Sequence, residues 1–179
     1  MDDRLFIGLP VPEAVRTVLS MSAGGLEPVK WVNPDDYHIT LRFIGEVEPP
    51  KTREIAARLG EIIVPAPKIE PTQFGAFGGK KPRSVHIAIA PAPALTELQI
   101  QCERICRAAG LDPEKRKFAP HITIGRLRGA SDVEVAHWLH GRSYFGPPSF
   151  EPDAFSLYSA KLGGGGPYHP LQSYPLMAS

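Results

Sequence analysis

The sequence predicts an α+β fold of two pseudo-symmetric lobes, each an antiparallel sheet with outer helices, and a functional groove between them. Three observations carry this expectation. A near-identical tetrapeptide occurs twice, as His38-Ile39-Thr40-Leu41 and, 83 positions later, as His121-Ile122-Thr123-Ile124. Each copy alternates polar and apolar residues as a half-buried strand does, with His and Thr on one face and aliphatics on the other. The order of predicted elements around the two copies also repeats: strand, helix, His strand, helix, strand, strand, then helix, His strand, helix, strand, strand. Short echoes agree, with Ile69-Glu70-Pro71 returning as Phe150-Glu151-Pro152 and Phe77-Gly78-Gly79 as Leu162-Gly163-Gly164.

The elements follow from the local pattern. Arg4 to Leu9 reads as a strand that Pro10 ends, and Pro12 and Glu13 suit the first turn of a helix reaching Ser22. Trp31, Val32 and the first His motif form one extended region closing at Gly45. Ile55, Leu59, Ile62 and Ile63 recur at helical spacing within Thr52 to Ile63, before Pro65. Residues 68–77 and 84–90 read as strands. Leu95, Leu98, Cys102, Ile105, Cys106 and Ala109 then mark one face of a helix over 94–109 that Gly110 caps. The second His motif lies within 118–127. Ser131 and Gly141 bracket a helix over 132–140, and strands over 149–158 and 168–176 finish the chain.

Composition narrows the class. With 42% hydrophobic and 22% charged residues in 179, the chain is a soluble globular protein, read as one domain over 1–179 with two intertwined lobes. A net charge of +1 excludes a generic polyanion binder and confines any nucleic-acid contact to local patches. No apolar run approaches a membrane span, and the start Met1-Asp2-Asp3-Arg4 is acidic where a signal peptide is basic, so a cytoplasmic location is expected. Cys102 and Cys106, four apart on one helix face, read as buried thiols. No obligate protein partner is expected.

Two strands that each present a His and a Thr place two imidazoles on either side of one small substrate. An unperturbed imidazole titrates near pH ~6.5, so one ring can be charged and the other neutral. That is the equipment for paired general acid-base chemistry. Thr40 and Thr123, on the same strand faces, are placed to donate hydroxyl hydrogen bonds to the substrate's oxygens.

The chain resembles the two-histidine phosphoesterase superfamily, in particular the RNA 2′,3′-cyclic phosphodiesterases, also called 2′-5′ RNA ligases. The resemblance covers Arg4-Leu-Phe-Ile-Gly-Leu-Pro10, the stretch from Trp31 through Tyr37 and the first motif to Glu46, and Phe118 through the second motif to Arg126. It ends with Leu157-Tyr-Ser and Gly166-Pro-Tyr168. It implies a bilobal, metal-independent hydrolase that needs no cofactor. It further implies that His38 is the proton donor to the leaving 3′-oxygen and His121 the proton acceptor from water, leaving a 2′-phosphate. The substrate is then RNA with a 2′,3′-cyclic phosphate end, or a small cyclic nucleotide. The same chemistry reversed is ATP-independent 2′-5′ ligation, and a non-catalytic RNA-end binder is the alternative of a different class.

Around the motifs, strand parity sets Arg42 on the His38 face as a phosphate ligand. Arg126 has the wrong parity beside His121 unless Gly125 forms a bulge; the family commonly carries a basic residue at both places. Phe43 and Tyr168 are candidates to stack on a base. His86 reads as a satisfied structural histidine, and His137 and His140 as surface residues without a metal-ligand pattern. Residues 163–166 form a glycine turn without P-loop chemistry. Lys80-Lys81-Pro82-Arg83 and Lys115-Arg116-Lys117 are basic clusters suited to guiding an RNA end.

Overall fold

The aliphatics of the doubled tetrapeptide are the centre of the core: Ile39, Leu41, Ile122 and Ile124 are at most 3% exposed. The computed structural model describes residues 4–142, 146–161 and 165–178. In order these form β1 (Arg4–Pro10), α1 (Glu13–Ser20), β2 (Val29–Trp31), a 3-10 turn (Pro34–Asp36), β3 (His38–Glu46), α2 (Pro49–Leu59), β4 (Pro71–Phe77) and β5 (Ser84–Ile89). They continue with α3 (Pro93–Ala108), β6 (His121–Leu127), α4 (Asp132–His140), β7 (Ala154–Ala160) and β8 (His169–Pro175). The α+β architecture with two similar halves is the one the sequence predicts.

The halves are not separate sheets. All strands join in the order β4-β5-β6-β3-β1-β7-β8, with β2 also on β6. The His strands therefore lie side by side at the centre rather than facing each other from two lobes. They meet at one antiparallel pair, Ile39 with Ile122, and diverge beyond it. Side chains bordering that pair on the groove face are His38, Thr40, His121 and Thr123. The echoed tripeptides meet in the same way, Ile69 and Phe150 exchanging backbone bonds of 2.7 and 3.0 Å. Equivalent residues paired with each other mark a pseudo-two-fold axis through both contacts.

Each half is assembled from both repeats. β4 and β5 of the first repeat extend the sheet from β6 of the second, β5 pairing with it, and β7 of the second lies against β1 of the first. Helices cover the face opposite the groove, α3 packing on β3 and α2 through Leu95, Leu98, Cys102 and Cys106. Burying each such side chain contributes about 1.5–3 kcal/mol. Burial also pushes both thiols up, Cys106 to about 11, consistent with inert core cysteines.

Several boundaries differ from expectation for local reasons. The region from Trp31 to Gly45 is two strands, because Asn33 caps the 3-10 turn through Asp35 N–H and redirects the chain. α2 begins at Pro49, since prolines fit the first helical turn, and stops at Leu59. Ile62 then folds inward while Ile63 is exposed. Gly110 follows α3 with φ +89°, as its capping role requires. Gly141 caps α4 in right-handed geometry, and the Ser131–Glu134 capping box starts it. Most of the predicted glycine turn at 163–166, and the echo at 162–164, lie outside the described residues. No helix among the described residues is long and apolar enough to cross a membrane.

Candidate active site

The two motif histidines are held alike. His38 Nδ1 lies 2.8 Å from the Asp36 carbonyl oxygen, and His121 Nδ1 lies 2.7 Å from that of Ala119. A carbonyl only accepts, so both Nδ1 atoms carry hydrogen, and in each neutral ring Nε2 is left as the acceptor. In each case the partner stands two residues before the histidine, so the chain entering each strand sets the tautomer. Thr40 Oγ1 is 3.0 Å from His38 Nε2 and donates to the neutral ring.

The rings sit in different surroundings. His38 packs against Phe6 at 4.7 Å and Tyr168 at 5.0 Å, with Tyr158 at 6.4 Å. Burial first, and then the charges of Arg126 and His121, lower its pKa to about 4 against the opposing Asp36 carbonyl. His121 meets Phe77 at 4.8 Å and His86 at 5.1 Å. Burial also lowers its pKa, with Arg116 adding to the effect and the Ala119 carbonyl opposing it.

A bulge at the same point of both His strands decides which flanking residues join them. Along β1, Ile7 pairs with Arg42 but Gly8 with Thr40, so Leu41 is the extra residue. Along β5, Val85 pairs with Gly125 but His86 with Thr123, so Ile124 is extra. An extra residue reverses side-chain parity beyond it. Arg42 is thereby turned away from the groove, correcting its expected place at phosphate. It is 8% exposed and donates to a carboxylate oxygen of Glu103 on α3 and to the carbonyls of Phe43 and Asp112. Glu103 also accepts from Glu114 N–H at 3.0 Å, so the buried cation closes the α3–β6 loop.

The same bulge brings Arg126 to the groove, with Ile124 rather than the expected Gly125 as the extra residue. Arg126 is exposed and donates to the Tyr168 hydroxyl at 3.2 Å. Tyr168 in turn donates its backbone N–H to Asp36 at 3.0 Å, linking Arg126 to the turn before His38. Phe43 is exposed on the groove face, at the position equivalent to Arg126. Gly125, the equivalent of Arg42, leaves room for β2: a Cβ there would lie 2.8 Å from Val29 and 3.0 Å from Trp31.

His86 differs from its expected reading as a satisfied structural residue. It is 7% exposed with no partner at Nδ1 among the described residues, and it stacks on Phe77 at 4.2 Å beside His121. Gly75 makes its space, since a Cβ at 75 would lie 2.9 Å from His86 Nε2. Phe6, Phe77 and Tyr158 were likewise not singled out from sequence. Their alternation within strands is that of any sheet residue, and only register shows which ring each one meets.

Known proteins carry the same repeat and fold. The profile of the LigT-like phosphoesterases fits residues 9–86 and again residues 87–168, one match per His motif. A protein of Aeropyrum pernix described as RNA 2′,3′-cyclic phosphodiesterase is 40% identical over 108 residues, spanning 59% of this chain and 61% of that relative. One of Bacillus subtilis with the same description is 32% identical over 96% of this chain and 95% of its own length. The crystal structure of E. coli LigT complexed with 3′-AMP superposes with a TM-score of 0.79 at 26% identity, covering 98% of this chain and 99% of that one. The chain belongs to the LigT-like phosphoesterase family.

Proposed function

We propose that the protein is an RNA 2′,3′-cyclic phosphodiesterase, a phosphoric diester hydrolase that opens cyclic phosphate ends to 2′-phosphomonoesters. The observation that carries this is the pair of imidazoles fixed in one tautomer by backbone carbonyls, with Nε2 as the remaining reactive atom of each. His121 takes a proton from water as its oxygen bonds to phosphorus. The P–O3′ bond breaks, and protonated His38 delivers its Nε2 proton to the departing oxygen. Thr40, Thr123 and Arg126 stabilise the charge on the non-bridging oxygens. Phe43 and Tyr168 flank the groove as aromatic surfaces for a base. The cavity beside His38 is about 50 Å³, room for water, so the nucleoside lies in the open groove.

One observation favours a second reading with the roles exchanged. In the free site Arg126 disfavours charge on His38, whose pKa is the one brought to about 4. Phosphate bound between the rings cancels that effect of Arg126 and raises the proton affinity of both.

The test has two parts. The protein in excess chelator should hydrolyse a nucleoside 2′,3′-cyclic phosphate, and His38→Ala and His121→Ala should each lower kcat by about 10²–10⁴-fold. Full activity in either variant removes paired acid-base catalysis. A substrate with sulfur in place of the 3′-oxygen needs no proton to leave. It should restore turnover to His38→Ala but not to His121→Ala, and the opposite pattern establishes the exchanged roles.

A further inference from the structure

Two cations face each other across the sheet beside the site. Lys30 on β2 and Arg126 on β6 are register partners. Both are exposed, and Trp31 and Gly125 meet on the opposite face, so both cations point to the groove. Like charges directly opposite in a ladder are destabilising. Among the described residues no carboxylate forms an ion pair with either. Arg83 and Arg128 extend the same edge, Leu127 N–H donating to the Arg83 carbonyl and Arg128 N–H to that of Pro28. Both are exposed.

The antiparallel pair at Ile39 and Ile122 tells which end of the site this is. From Thr123 to Arg126, β6 runs beside His38 and the turn before it, about 13 Å from the pair at ~3.3 Å per residue. The Arg126–Tyr168–Asp36 contacts confirm the direction. The opposite end, beyond His121, carries Phe43 and the loop of Arg116 and Lys117. There Arg116 pairs with Glu114 at 3.2 Å.

Displacement at phosphorus is in line, so attacking water and leaving oxygen lie on opposite sides. The leaving oxygen belongs to the ribose. The nucleoside and all of the chain attached to it therefore stand on the side of the acid, and the water side is left for the nucleophile.

We propose that the RNA 5′ of the cyclic end leaves the site past His38, its first internal phosphates held by Lys30 beside Arg126. Lys30 is then a determinant of preference for oligonucleotides over mononucleotides. The inference rests on the proposed diesterase reading and on His38 as the acid.

The experiment compares kcat/KM for a cyclic-ended hexaribonucleotide and for cytidine 2′,3′-cyclic phosphate, across a salt series, in the wild type, Lys30→Glu and Lys117→Glu. Lys30→Glu should lower the hexamer-to-monomer ratio about tenfold and flatten the salt dependence by about 0.7 in log-log slope, the effect of one lost phosphate contact on a single strand. Lys117→Glu should change the ratio less than twofold. Equal losses in the two variants, an unchanged ratio in both, or the larger loss in Lys117→Glu would each overturn the proposal. Failure of the wild type on the monomer overturns the diesterase reading, a separately visible result.

Discussion

The two His strands carry the same tetrapeptide, the same carbonyl-held imidazole and the same bulge, yet they use the next two positions in opposite ways. On β3 the residue after the bulge is Arg42, buried against Glu103, and the groove receives Phe43. On β6 it is Gly125, covered by β2, and the groove receives Arg126. The lesson is that pseudo-symmetry can duplicate a pair of imidazoles while one-residue substitutions make the ends of the groove unlike. One end is cationic and beside His38, and the other is aromatic and beside His121.

The largest effect should come from the two arginines. Arg42→Ala leaves the Glu103 carboxylate and the Phe43 and Asp112 carbonyls without this donor, and should destabilise the fold by about 3–5 kcal/mol, read as a lowered denaturation midpoint. Arg126→Ala should leave that midpoint nearly unchanged and lower kcat/KM by about 10²-fold, as loss of a charged donor at phosphate does. The reverse pattern would erase the distinction between the strands.

A smaller effect tests why the residue after the β6 bulge is glycine. Gly125→Ala pushes a methyl into Val29 and Trp31, and should cost about 1–3 kcal/mol in chemical denaturation. A neutral result would mean that β2 adjusts freely.

The smallest concerns pH. Productive binding needs one imidazole charged and one neutral, and both rings have pKa values below the ordinary 6.5 in the free site. At pH above both values the singly protonated pair falls tenfold per pH unit, or ~1.4 kcal/mol. The alkaline limb of kcat/KM should therefore begin below 6.5, while that of kcat lies higher because bound phosphate favours the charged ring. A kcat/KM maximum above pH 7 would show that burial does not govern the free rings.

Much of this was legible in the chain. His38, Thr40, His121 and Thr123 were found by alternation, because period-two patterning reports which residues share a face. The helix over α3 and its buried cysteines followed from 3.6-residue spacing for the same reason. Parity failed at Arg42, since a bulge depends on how a neighbouring strand pairs and leaves little trace in the strand's own composition. At Gly125 a glycine supplied that trace. His86 reads as a structural histidine in the sequence because its nearness to His121 arises from strands far apart along the chain.

The sequence by itself determined the two His-x-Thr units, their strand faces and the repeat that relates them, all local properties of covalent order. Tertiary structure alone decided that the repeats exchange hairpins, that the His strands lie side by side, and which arginine reaches the groove. Those outcomes depend on register and on cross-strand packing, where a shift of one residue sends a side chain to the other face.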